Sequence, residues 1–238
     1  MKKKKFIGCI FLFALTLGFT SCLDDEDPIW YFWDEPAIVT YPNNKPMLNT
    51  HYGRFSVPAL SEDLKEGDYL WTSFIVDLGN QPEKSDTIIS PGSLKYKKIT
   101  GSPVIITQNI KDDYTDSIAN ATFYIESVIG EVLFFKLEHK DTKNSFEYEM
   151  LYNPDSVQTV EGKKVHNLYI RCKPIGSAEN EQSGNYHGFD ISEFLSYAKR
   201  EAQDNQVLFY INYKVGTQQG EDKYELIRER YYTWYFRP

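Results

Sequence analysis

The 238-residue chain is 41% hydrophobic and 25% charged, with a formal net charge of -8, the composition of a globular protein and not of a disordered, fibrous or polytopic membrane chain. Only 3 Cys and 4 His argue against a disulfide-stapled scaffold or a multi-finger zinc protein, and 14 scattered Gly argue against a glycine-rich nucleotide binder. Aromatic residues reach 16%, an excess that either a β-rich core or a binding surface would explain.

Taken in chain order, residues 1–21 are a targeting segment: a basic stretch, Lys2 to Lys5, precedes an apolar run from Phe6 to Phe19 that falls short of the ~20 residues of a membrane span. Thr20 and Ser21 then lead into Cys22. The motif FTSC resembles the lipobox of bacterial lipoproteins, which implies cleavage before Cys22 and lipidation of its thiol and new amine. Acyl chains contribute ~0.8 kcal/mol per buried methylene, so such an anchor is effectively permanent. Residues 1–21 hold four of the 26 basic residues and none of the 34 acidic ones, leaving the mature 217 residues at -12. A chain so acidic is not drawn to nucleic acid.

The run LDDEDP, Leu23 to Pro28, repels itself and reads as an extended spacer, so residues 22–33 are expected to form a lipidated acidic tether. It also resembles the acidic export signal that follows the lipidated cysteine in surface lipoproteins of the Bacteroidota. The expected address is the outer membrane, lipid-anchored and surface-exposed. Just beyond the acids, Trp30, Tyr31, Phe32 and Trp33 cluster. They are either docked against the first folded unit or exposed, and Trp30 and Trp33 are the candidate binding aromatics.

Alternating and β-branched runs bounded by Pro, Gly and Asn predict short strands at Ala37–Tyr41, Gly53–Val57, Tyr69–Val76, Thr87–Ser90, Leu94–Ile99 and Val104–Thr107. A second set is predicted at Ala121–Val128, Val132–Glu138, Phe146–Tyr152, Val165–Cys172, Val207–Tyr213 and Tyr224–Phe236. The polar stretch between the sets places a boundary near residue 110, giving units at 34–109 and 110–238. One helix is predicted after Asp190, with Glu193 three residues on in a capping-box arrangement and Ile191, Phe194, Leu195 and Ala198 as its apolar stripe. Asp204 and Asn205 are expected to end it. In the last strand Tyr232, Trp234 and Phe236 share a face and read as core.

Several segments together resemble the NigD-like lipoproteins of Bacteroidota: FTSC with LDDED, the lead-in IWYFWDEPAIV, then GRFSVP and LKEGDYLWTSFIVD. Asn167 to Val215 follows that family's C-terminal layout of a strand with Arg, a polar loop, a strand into a helix and a tyrosine-rich strand. The resemblance implies a mainly β fold, an N-terminal OB-like small β-barrel followed by a C-terminal β-sandwich with one crossover helix. It implies no activity.

Catalytic and metal motifs are not found. His51, His139, His166 and His187 have no metal-ligand spacing, and Asp190 beside His187 is better explained as the helix cap. Glu147 and Glu149 share a strand face, but alternation with Phe146, Tyr148 and Met150 reads as a half-buried strand. Cys9 leaves with the signal and Cys22 with the lipid, so Cys172 has no partner and reads as a buried thiol. Thr87, Ser117 and Ser156 each follow Asp and precede an apolar residue, a pattern resembling the O-glycosylation site of exported Bacteroidota proteins. The expectation is a non-catalytic binding or accessory lipoprotein without cofactor or metal, with an envelope protein or a glycan as partner. Its rivals are a glycan-active hydrolase using acidic residues and a subunit of a larger envelope assembly.

Overall fold

The computed structural model describes residues 29–57, 60, 63–81, 87–110, 118–119, 121–139, 144–177, 185–202, 204–213, 215–216 and 232–235. These form a mainly β fold with a single short α-helix among the described residues. The strands of the first half are β1 (Ile29–Thr40), β2 (Met47–Thr50), β3 (Gly53–Ser56), β4 (Tyr69–Asp77) and β5 (Lys95–Ile106). Those that follow are β6 (Ile118–Ala119), β7 (Ala121–Ile129), β8 (Val132–His139), β9 (Asn144–Tyr152), β10 (Gln158–Val160), β11 (Lys163–Ser177), β12 (Asn185–Asp190), β13 (Gln206–Tyr213), β14 (Val215–Gly216) and β15 (Tyr232–Tyr235).

Thirteen strands belong to one mixed hydrogen-bonded network, with β14 and β6 pairing apart from it. In the first half β3, β2, β1, β4 and β5 run antiparallel in that order. The segment Thr87–Ser90 joins the far side: the Ser56 amide donates to the Thr87 carbonyl at 2.7 Å and the Ser90 amide to Ile75 at 2.8 Å. Inside lie Phe32, Val39, Leu48, Phe55, Leu70, Phe74, Val76 and Ile89, the inward positions of an alternating pattern. Leu48 comes from β2, a strand the sequence reading missed because MLNT is only four residues long.

In the second half β9, β11, β13 and β15 pair in that order, with β11 and β13 parallel. Separately β7, β8 and β12 are adjacent. Between them lie Phe135 and Phe189 from β8 and β12, and Met150, Tyr152, Leu168, Ile170 and Phe209 from β9, β11 and β13. Helix α1 (Ser192–Ala198) buries Phe194, Leu195 and Ala198 into the same cluster. It joins β12 to β13, so it does cross between strands with different partners. Its cap differs in detail from the expectation: Asp190 accepts from the Ser192 amide at 2.9 Å, Ile191 is the half-helical residue, and Glu193 is exposed. Asp204 and Asn205, at φ 54° and 56°, make the turn into β13, as left-handed residues of this type do.

The stretches predicted as separate strands at 94–99 and 104–107 are one strand, β5. It is antiparallel to β4 over Lys95–Ile99, parallel to β12 over Thr100–Pro103, and parallel to β9 over Val104–Ile106. Leu94 packs on the first core, Val104 belongs to the second, and Ile99 belongs to a small junction cluster with Trp71, Ile129, Val132 and Phe134. At the crossing Gly101 and Gly188 are register partners beneath the Tyr69 ring, and a Cβ on either would overlap that ring. Neither has a positive φ, so close approach alone requires glycine there.

Candidate functional site

Two β-bulges face one another across the junction. On β1 the register slips between Phe32 and Glu35, so Trp33 and Asp34 oppose a single residue of β4. The bulge is braced by β4 hydroxyls: the Asp34 amide donates to Ser73 Oγ at 3.2 Å, and Thr72 Oγ1 donates to the Glu35 carbonyl at 2.8 Å. Asp34 takes φ 56°, a conformation Asp tolerates better than most residues. On β7 the register slips between Ile125 and Ser127, leaving Glu126 as the extra residue. Bulges turn side chains away from strict alternation and concentrate at functional sites.

Between them lies a cleft of about 360 Å³. One side presents Trp33, Asp34, Glu35, Trp71 and the hairpin tip His51–Tyr52, and the other presents Glu126, Ser127, Lys136 and Tyr186. The tip is held by Thr50, whose hydroxyl donates to the Gly53 carbonyl and accepts from the Tyr52 amide, both at 3.1 Å. Trp33 is 64% exposed and Tyr52 61%. Trp71 and Tyr186 stack at 3.8 Å between ring centroids, fastening β4 to β12. Trp71 Nε1 and Ser127 Oγ are buried and meet no hydrogen-bond partner among the described residues, a condition that costs about 1–3 kcal/mol per group unless another molecule supplies the bond. Burial pushes the Glu35 carboxyl above the usual carboxylate range; Glu126 and Asp34 push the same way, against the pull of His51 and the Tyr52 hydroxyl.

A second, more open groove of about 750 Å³ runs along Asp68, Tyr69, Lys98, Ser102 and Asp190. Lys98 Nζ and Asp68 pair across it at 2.8 Å. Ser102 Oγ lies 2.9 Å from His187 Nε2, the spacing of a nucleophile and its base. His187 is 4% exposed, and burial holds its imidazole down to about 4. Asp190 accepts from the Ser192 amide, and no carboxylate bonds His187 among the described residues. The pair therefore reads as a satisfied buried histidine.

Of the residues singled out in the sequence, Trp33 lines the cleft, whereas Trp30 is half-exposed on the same strand and outside it. The stretch 29–33 is strand, paired with β4. Thr87 and Ser156 are half-buried, with the Ser156 hydroxyl donating to the Asn153 carbonyl at 2.9 Å. Cys22 and Ser117 lie outside the described residues. Glu149 accepts from Arg171 Nε at 2.6 Å, and Cys172 is buried. At the C-terminus Trp234 packs on the core, but Tyr232 is 41% exposed while stacked on Phe209, and Phe236 lies outside the described residues. No group of three or more His, Cys, Asp or Glu able to hold a metal ion occurs among the described residues. The cleft itself had no local signal, because its side chains come from six separate stretches of sequence.

This is a mainly β protein with a mixed sheet and an aromatic, acidic cleft at the junction of its two cores. No protein-family model matches the chain, and no curated protein does. It is similar in structure to an uncharacterised protein of Parabacteroides merdae, at 14% identity and TM-score 0.59 over 85% of this chain and 96% of the other. It is similar also to a protein of unknown function from Bacteroides vulgatus, at 14% identity and TM-score 0.53 over 89% and 92%. A third likeness is to a NigD-like immunity protein of Bacteroides caccae, at 10% identity and TM-score 0.51 over 84% and 93%. The resemblance to NigD-like proteins drawn from the sequence is thus met at the level of the fold. Of the expected layout, β11 carries Arg171, β12 leads into α1 and β13 is the tyrosine-rich strand, while the polar loop at 178–184 lies outside the described residues.

Proposed function

We propose that the protein is a lipoprotein anchored through Cys22 in the outer membrane and displayed at the cell surface, and that it works by binding and not by catalysis. The first core, with residues 34–109 around it, is read as the OB-like barrel, and residues 110–238 as the sandwich. The hydrogen bonds of Thr87–Ser90 to both Ser56 and Ile75 support the first assignment. The observation that carries a binding role is the cleft, where the exposed Trp33 and Tyr52 stand with Asp34, Glu35 and Glu126. Small-ligand pockets combine an apolar wall with a few convergent polar groups in this way.

The test of the site is capture of glycans and envelope proteins by the full lipidated chain against its Trp33→Ala variant. Retention of one ligand by the first and its loss by the second is the expected result; identical capture by both would remove the cleft from the account. The intact mass of protein taken from its own membrane checks the address, because acylated Cys22 and glycans on Thr87, Ser117 or Ser156 each add a defined increment. A second reading, an assembly subunit, draws on Ile29, Trp30 and Tyr31, each about half exposed on β1, and on the immunity protein among the structural neighbours.

A further inference from the structure

Among the described residues eleven large hydrophobic side chains are exposed, and four of them fall within Ile29–Trp33. Scattered singly such residues need no explanation, but a contiguous group marks a contact surface. Ile29, Tyr31 and Trp33 alternate onto one face of β1, with the Tyr31 and Trp33 rings 3° from parallel at 6.4 Å between centroids. Trp30 lies on the other face, edge-on to Phe32, and is still 49% exposed. The stretch projects: β2 pairs with β1 only over Ala37–Thr40, so β4 alone backs Ile29–Phe32 among the described strands.

The place of this stretch in the chain identifies what covers it. Six residues separate Ile29 from Cys22, a reach of at most about 25 Å at about 3.6 Å per residue. A compact chain of this length has a radius of gyration of about 17 Å and is about 40 Å across. An anchor at Cys22 can therefore hold only the side on which β1 starts against the surface that carries it. We propose that Ile29, Trp30 and Tyr31 dock on that lipid surface at the level of its headgroups, with Trp33 at the margin. The inference rests on acylation of Cys22. Charge does not supply the attraction, because Asp24, Asp25, Glu26 and Asp27 lie between anchor and strand and Asp77 is the register partner of Ile29. Tryptophan and tyrosine settle at headgroup depth, their rings turned to the acyl chains and their N–H or hydroxyl to water. The edge of β1 that meets no strand among the described residues keeps the contact shallow, since open backbone groups are tolerated among headgroups but not in hydrocarbon. With the anchor in place docking is intramolecular, so a weak contact suffices.

The experiment places the chain 22–238, acylated on Cys22, in vesicles of phosphatidylethanolamine and phosphatidylcholine whose acyl chains carry bromine either near the headgroup or near the bilayer centre. The emission of Trp30 is the part that Trp30→Phe removes; Trp71 and Trp234, packed on buried clusters, give a background common to all variants. Shallow bromine is expected to quench about half or more of the Trp30 emission, and deep bromine several-fold less. Ile29→Ser combined with Tyr31→Ser should cut that quenching about three-fold or more, because interfacial binding scales with buried apolar area. Tyr235→Ser, 71% exposed at the other end of the strand order, should leave it unchanged. All these positions are exposed, so the variants keep the fold, which circular dichroism checks. Full Trp30 emission over brominated lipid, with iodide still reaching it from the water, overturns the docking and leaves the anchor standing. Shielding from iodide that arises only when proteins of its own membrane are added overturns the lipid assignment in favour of a protein partner. An intact mass without acyl chains on Cys22 overturns the anchor, and the docking with it.

Discussion

Gly188→Ala tests how the two cores are held together. The new Cβ would stand 2.5 Å from Tyr69 Cδ2, 2.9 Å from Cε2 and 3.3 Å from Cγ, where carbon atoms pack well at about 3.5–4.0 Å. The ring cannot simply withdraw, because Phe134 meets it edge-on at 5.5 Å between centroids and its own strand is paired on both sides. Overpacking of this kind costs about 1–3 kcal/mol. Against it stands a gain of about 0.4–1 kcal/mol, because alanine restricts the unfolded chain. The net expectation is a loss of about 1–2 kcal/mol from these two terms. In a Tyr69→Ala background the obstacle is gone and only the gain is left, so Gly188→Ala should there be neutral or stabilising. Urea unfolding of the four members of this cycle measures the coupling directly. If the substitution costs as much without Tyr69 as with it, ring contact is not why position 188 is glycine.

Acid should expose the buried His187. Folded, its imidazole stays neutral to about pH 4; unfolded, it takes up a proton near 6.5. Its contribution is therefore full above pH 6.5 and lost as the pH falls towards 4, about 3 kcal/mol in all, and His187→Gln should flatten the stability profile in that window; an unchanged slope between pH 6.5 and 4 would falsify the assignment. Arg171→Met leaves the Glu149 carboxylate without its guanidinium on β9, which should cost about 2–4 kcal/mol in thermal or urea unfolding given the mostly buried pair. Changing both residues to apolar ones should recover most of it, and a double variant no better than the single would count against the pairing as the cause.

Local pattern decided much of this molecule. Strands such as Tyr69–Asp77 and Gln206–Tyr213 alternate or run apolar over enough residues to be legible, as does the stripe Phe194, Leu195, Ala198, because burial selects side chains at a fixed period. Short strands such as Met47–Thr50 escaped, since four residues with Asn and Thr carry too little pattern. The expectation of a targeting segment and of lipidation at Cys22 draws on a different signal, linear chemistry that is read before folding matters.

The cleft belongs to the tertiary structure alone. Trp33 stood out in sequence only as one of four crowded aromatics, and Glu35, Trp71, Glu126 and Tyr186 did not stand out at all. What brought them together is the passage of β5 from one core to the next, with Gly101 and Gly188 thin enough to admit Tyr69, and two one-residue slips in register. A bulge moves a side chain by breaking the period from which sequence reading draws its signal. The same physics that made the strands legible therefore hid the site built where their regularity fails.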